Sequence, residues 1–157
     1  MDLLFILLCL HGARSNKAIK DGEWGCKITN IKKILLVDNE VDITYALTNA
    51  LENYGFNIES FNDSLLALNS YKSNFYDLVI LDIKMPQMDG FELYNKIREK
   101  DPKVKICFLT ASELFYEEFR KARFLLAEKI GEEYFIQKPI KTEDLVQKIN
   151  GLMMENK

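Results

Sequence analysis

Histidine is nearly absent. The only one among 157 residues is His11, so everything beyond the first thirty positions lacks an imidazole for metal binding or catalysis. Cysteine is scarce too. Cys9, Cys26 and Cys107 are odd in number and widely spaced, which suits neither a disulfide framework nor a metal knuckle and makes a reducing, cytoplasmic setting the expectation. Positive charge is not in excess. With a net charge of −3 and no cluster of Lys and Arg, the chain has no general attraction for nucleic acid or anionic membranes, and direct DNA binding is not expected. Long hydrophobic runs are missing as well. The apolar stretch LLFILLCL, Leu3 to Leu10, is eight residues against the roughly 20 that cross a bilayer, so no membrane span is expected.

The composition, 48% hydrophobic and 29% charged, is that of one globular domain with room for a core. Residues 1–30 do not read like the rest. No positive charge precedes their apolar run, no small-x-small cleavage site follows it, and GARSNKAIKDGEWG has no sustained periodicity. The segment reads as a flexible extension, or as a start assigned too far upstream, and residues 31–157 as the domain.

From Ile31 the chain alternates. Apolar runs KKILLV, FNIESF, YDLVILD, KVKICFL and EYFIQK are separated by stretches of helical period, which predicts five strands and five helices in βα order. In the first helix Ile43, Leu47, Ala50, Leu51 and Tyr54 form the apolar stripe and Gly55 the expected C-terminal cap. In the last, Leu145, Ile149, Leu152 and Met153 repeat the stripe after Thr142, a candidate N-cap followed by Glu143 and Asp144. Three strands are apolar nearly throughout, as required when helices cover both faces of a parallel sheet. The expected fold is α/β, a doubly wound five-stranded parallel sheet.

In open parallel sheets, function gathers at the carboxyl ends of the strands. There the first strand delivers Asp38, Asn39 and Glu40, the third Asp82, the fourth Thr110, and the fifth Lys138 followed by Pro139. Singly, these are ordinary cap and turn residues. Together they put carboxylates, a hydroxyl and an ammonium at one edge. Asp38 and Asp82 brought close in a crevice repel one another, and a divalent cation with oxygen ligands removes that cost. A carboxylate beside bound Mg²⁺, with Lys and a hydroxyl opposite, is equipped to accept a phosphoryl group.

The motifs LLVDNE, DLVILDIKMPQMDG, FLTAS and KP, in that order and each at the end of its strand, resemble the receiver domains of two-component response regulators, of the single-domain type, over about Lys32 to Leu152. The resemblance implies the flavodoxin-like (βα)5 receiver fold. It implies that Asp82 accepts a phosphoryl group from a sensor histidine kinase or phosphotransfer protein in a Mg²⁺-dependent reaction. The metal ligands would be Asp38, Asn39, Asp82 and the backbone carbonyl of Lys84, with Glu40 a further candidate. Met85, Pro86 and Gly90 would shape the loop, Thr110 would hydrogen-bond the phosphoryl oxygens, Lys138 would pair with them, and Phe135 matches the aromatic switch position. A cis Lys138–Pro139 bond would aim the Lys at Asp82. No turnover of an external substrate is expected beyond self-phosphorylation and dephosphorylation at Asp82, and the signal would pass to a downstream protein by contact.

Three departures stand out. Asn39 replaces the second acid usual after the first strand, which predicts weaker metal binding. Phe135 lacks the hydroxyl of the commoner Tyr. The segment between Thr110 and Lys138 is several residues longer than usual and lacks the Gly-Ala before the fifth strand; in it Phe115, Phe119, Ala122 and Leu126 recur at helical spacing and are expected to be core. A flavin mononucleotide protein would need a phosphate cradle where this chain has acids. An aspartyl-phosphate hydrolase would need an acid where Lys84 stands. The serious alternative is a pseudo-receiver, a binding module that no longer phosphorylates; Asn39 argues for it, and the intact set Asp38, Asp82, Thr110 and Lys138 against it.

Overall fold

The computed structural model describes residues 31–111, 115–126 and 130–154; the amino-terminal segment and its apolar run lie outside them. Five strands alternate with five helices: β1 (Lys33–Val37), α1 (Val41–Asn53), β2 (Asn57–Phe61), α2 (Ser64–Ser70), β3 (Leu78–Asp82), α3 (Gly90–Lys100), β4 (Lys105–Ala111), α4 (Phe115–Leu125), β5 (Phe135–Lys138) and α5 (Thr142–Met154). The strands form one parallel sheet in the order β2-β1-β3-β4-β5.

Alternation along the strands divides the core in two. Leu35, Val37, Val79, Leu81, Ile106, Phe108 and Phe135 point to the face covered by α2, α3 and α4 through Ala67, Phe91, Tyr94, Ile97 and Ala122. Ile34, Leu36, Leu78, Ile80, Cys107, Leu109 and Ile136 point to the other face, where α1 and α5 supply Leu51, Leu145, Ile149 and Leu152. Because both faces are covered, β1 and β3 have no polar position to alternate with, which is why their sequences run unbroken as ILLV and LVIL. The chain leaves β1 in one direction to β2 and returns on its other side to β3. This reversal makes the carboxyl ends of β1 and β3 the topological switch point, where open α/β sheets bind their ligands.

Helix ends follow local chemistry. Gly55 sits at φ 88°, and the bonds from its N–H to Glu52 O and from Phe56 N–H to Leu51 O close α1 as a Schellman motif. The expected stripe of α1 is narrower than its spacing suggests: Tyr54 is the half-exposed capping residue, and Thr44 is buried in its place among the inward positions. Thr142, expected as the cap of α5, is its first helical residue, a shift of one position. In α3, Asp89 accepts from Phe91 N and Glu92 N at 2.9 Å while Glu92 Oε2 accepts from Asp89 N at 3.2 Å, a complete capping box.

Gly90 opens α3 against the end of β3. Its N–H donates to Ile83 O at 3.0 Å, and a Cβ there would lie 2.4 Å from Asp82 O and 2.9 Å from Ile83 Cα. Both obstacles are backbone, so nothing can swing aside. Gly90→Ala is expected to cost about 2 kcal/mol or more by forcing α3 away from the strand, measured as a fall in the urea midpoint; an unchanged midpoint would contradict this packing.

Candidate functional site

Strand register places the site. Val37 pairs with Leu81, so Asp38 and Asp82 leave neighbouring strands side by side at the topological switch; Thr110 lies one residue beyond Leu109, the partner of Asp82, and Lys138 pairs with Ala111. Of the residues singled out by sequence, Asp38, Glu40, Asp82 and Lys138 meet directly, and Thr110 leaves the neighbouring strand β4 at the same edge. The Lys138–Pro139 bond is cis.

Lys138 reaches across the end of β4 to both acids. Its Nζ lies 2.7 Å from Asp38 Oδ2 and 3.0 Å from Asp82 Oδ1, with Glu40 Oε1 at 3.7 Å. Asp38 is 0% exposed and Asp82 5%, so one ammonium serves two buried carboxylates. Every polar atom of Asp38 is engaged. Its N–H donates to Phe61 O at 3.2 Å, Oδ1 accepts from Glu40 N at 2.9 Å, and its carbonyl accepts from Asn62 Nδ2 at 2.8 Å and lies 3.1 Å from Thr44 Oγ1.

The charges do not balance. Burial pushes the Asp82 carboxyl up, and Asp38 and then Glu40 push the same way; Lys138 pulls back, leaving its pKa at about 6 against an ordinary 3.8. At neutral pH Asp82 is still a carboxylate, and a more basic one than usual. Burial opposes the charge on Lys138, but its bonds to Asp38 and Asp82 outweigh this and hold its pKa above the ordinary value. Two buried anions and one cation leave a net negative charge, to which Glu40 adds.

That donor set fits a hard divalent cation. Among the described residues no three His, Cys, Asp or Glu side chains are grouped as a ready cage, yet Mg²⁺ is ordinarily held by one or two carboxylates plus water and substrate oxygens. Asp38 and Asp82 supply the carboxylates. Asn39 is half-buried between Asp38 and Glu40, and Lys84 is exposed two residues past Asp82. Thr110 is buried beside the acids, its Oγ1 3.3 Å from Ala111 O.

Phe135 lies under this site in an aromatic column. Its ring is 5.2 Å from Phe108 and 5.4 Å from Phe119, and Phe108 in turn contacts Phe91 at 5.1 Å and Tyr94 at 5.7 Å. The stripe expected in α4 is core: Ala122 and Leu126 are buried and Phe119 packs on them. The side chain of Phe115 lies outside what is described. Two residues that brace the site, Thr44 and Asn62, escaped the sequence reading. Asn62 stands directly after β2, and the strand-end rule extended to the second strand would have found it; nothing in the period of α1 marks Thr44.

The sequence matches the response regulator receiver domain over residues 34–150. It is 31% identical over 121 residues, 77% of this chain and 49% of the relative, to the transcriptional regulatory protein RprY of Bacteroides fragilis. It is 36% identical over 80 residues, 51% of this chain and 67% of the relative, to the response regulator receiver protein CpdR of Brucella abortus. The chain spans about half the length of most curated relatives it matches. Among solved structures, the non-phosphorylated HemR receiver domain of Leptospira biflexa superposes with a TM-score of 0.67 at 28% identity, covering 80% of this chain and 97% of that one. The chemotaxis protein CheY4 of Vibrio cholerae shares the fold, with a TM-score of 0.68 at 24% identity, covering 78% of this chain and 98% of that one.

The raised pKa of Asp82 makes a stability statement. Between its ordinary 3.8 and about 6 the folded chain binds more protons than the unfolded one, so this group's contribution falls as pH rises through that window and is a full cost above it. In metal-free buffer Asp82→Asn is expected to be more stable than the wild type by about 2 kcal/mol at pH 7.5, with the gap closing near pH 4. Urea denaturation at both pH values checks this. A gap that is absent at pH 7.5, or that widens on acidification, would contradict the electrostatics.

Proposed function

The chain belongs to the response regulator receiver domain family, and on that premise we propose that Asp82 accepts a phosphoryl group from a histidine of a sensor kinase or phosphotransfer protein, making the domain a phosphorylation-controlled switch that signals by protein contact. The observation that carries this reading is the shared Lys138, poised 3.0 Å from a buried carboxylate of raised basicity at the switch point of the sheet.

A carboxylate oxygen of Asp82 attacks phosphorus as the bond from phosphorus to the donor nitrogen breaks. The imidazole nitrogen keeps that electron pair and takes up a proton, and an acyl phosphate forms on Asp82. Lys138 stays beside the accepting oxygen and neutralises charge on the phosphoryl group. The hydroxyl of Thr110 turns from Ala111 O to donate to a phosphoryl oxygen. Asp38 and Asp82, with Asn39, the Lys84 carbonyl and water, would hold Mg²⁺, which would supply additional charge neutralisation. Water later cleaves the acyl phosphate, so the domain resets itself and turns over no external substrate.

Thr110 and Phe135 lie on adjacent strands, so the turn of that hydroxyl changes the packing beside Phe135 and carries the state to the surface of α4, β5 and α5. A downstream protein reads it there. Residues 31–157 act as the receiver unit and residues 1–30 take no part in the phosphoryl chemistry. No helix among the described residues is long and apolar enough to cross a membrane, and the domain works in the cytoplasm with no nucleic-acid contact of its own.

Incubation with Mg²⁺ and a small phosphodonor is expected to add one acid-stable, base-labile phosphate per chain. Asp82→Asn and chelation should each abolish it, and Lys138→Ala should leave less than a tenth of the rate. Absence of label in the wild type would leave a pseudo-receiver as the reading that stands. Label retained in Asp82→Asn would move the acceptor elsewhere.

A further inference from the structure

The loop that carries Asp38, Asn39 and Glu40 is held by residues that are not themselves ligand candidates. Asn62, 24 positions away at the end of β2, directs its side-chain nitrogen at two oxygens of this region: Asp38 O at 2.8 Å and Thr44 Oγ1 at hydrogen-bond distance. Thr44, buried on the inward side of α1, places its hydroxyl 3.1 Å from Asp38 O and 2.9 Å from Glu40 O.

Donor counting constrains the arrangement. Two carbonyl oxygens and a hydroxyl converge, and a hydroxyl has a single proton to give. The Asn62 amide has two. One goes to Asp38 O and the other to Thr44 Oγ1, whose own proton faces Asp38 O and Glu40 O, the latter also accepting from Thr44 N at 3.0 Å. This requires the nitrogen side of the Asn62 amide to face the loop. A Thr bonded to the carbonyl four residues back is common in helices; the second donor, arriving from another strand and tying into the same network, is not explained by that habit.

The consequence falls on Asn39. Its neighbours are pinned, Asp38 by its carbonyl and carboxylate and Glu40 by its N–H on Asp38 Oδ1 and its carbonyl on Thr44. A neutral amide oxygen binds a hard cation less strongly than a carboxylate, so it gains more from being held in position beforehand. We propose that Thr44 and Asn62 are positioning residues that clamp the Asp38–Glu40 loop and set the strength of Mg²⁺ binding at a site whose second ligand is uncharged. This rests on the phosphoacceptor reading above for the identity of the metal.

The test compares Thr44→Val, Thr44→Ser and Asn62→Leu with the wild type in two measurements on the full chain. Calorimetric titration with Mg²⁺ alone should show at least tenfold weaker binding for Thr44→Val and Asn62→Leu, with Thr44→Ser restored to within twofold because it keeps the hydroxyl. Amide hydrogen exchange in metal-free protein should rise at least tenfold at Glu40 in Thr44→Val and Asn62→Leu, while the amides of β3 and α5 stay as they were. Wild-type affinity in all three variants overturns the clamp and leaves the phosphoacceptor reading intact. Loss of protection throughout the sheet, or Thr44→Ser behaving as Thr44→Val, also overturns it, because either result makes these residues general packing. If the wild type binds no Mg²⁺, the metal assignment and the proposal fail together, whatever the exchange data show.

Discussion

One ammonium group shared between two buried carboxylates governs this molecule. Lys138 stands 2.7 Å from Asp38 and 3.0 Å from Asp82, where desolvation would otherwise make a second negative charge prohibitive. It offsets one of the two charges and leaves the other. The remainder shows in the raised pKa of Asp82, and a bound hard cation would offset it. The arrangement that makes Asp82 basic also makes the folded state less stable at neutral pH.

The fold exists to hold those three groups in register. Parallel pairing of β1 with β3 sets Asp38 beside Asp82, and pairing of β4 with β5 carries Lys138 within reach over the end of β4. Gly90 lets α3 start against the backbone of Asp82 with no room for even one extra carbon. On the opposite side, Asn62 and Thr44 fasten the acid loop from below. The aromatic column from Phe119 through Phe135 to Phe108 packs along β4 and β5, so the core beneath Lys138 is made of large rings.

Much of this was legible in the sequence because burial leaves a plain trace. ILLV and LVIL are readable as strands covered on both faces, and a strand that turns acidic at its end announces the site, as at Asp38 and Asp82. The cap at Gly55 was visible because few residue types meet that backbone demand, whereas the cis Lys138–Pro139 bond followed from the family resemblance and the need to aim Lys138 at Asp82. What escaped depends on distance in the chain. The pairing of Asn62 with Asp38 and Thr44 involves polar residues whose partners are set by tertiary packing, and no periodicity marks them. Tyr54 fell in the apolar stripe by spacing alone, yet helix α1 ends before its side chain turns inward. Thr142 missed its capping role by a single residue, the usual uncertainty of a helix boundary.

Asp82 is held basic by burial and by Asp38, with Lys138 making up only part of the difference. The direct measurement is the titration of the Asp82 side-chain carboxyl carbon by NMR in the metal-free protein, repeated with saturating Mg²⁺. The expected midpoint is near 6 without metal, moving down by at least one pH unit with it, since a bound cation favours the carboxylate. A midpoint at the ordinary 3.8, indifferent to Mg²⁺, would contradict it.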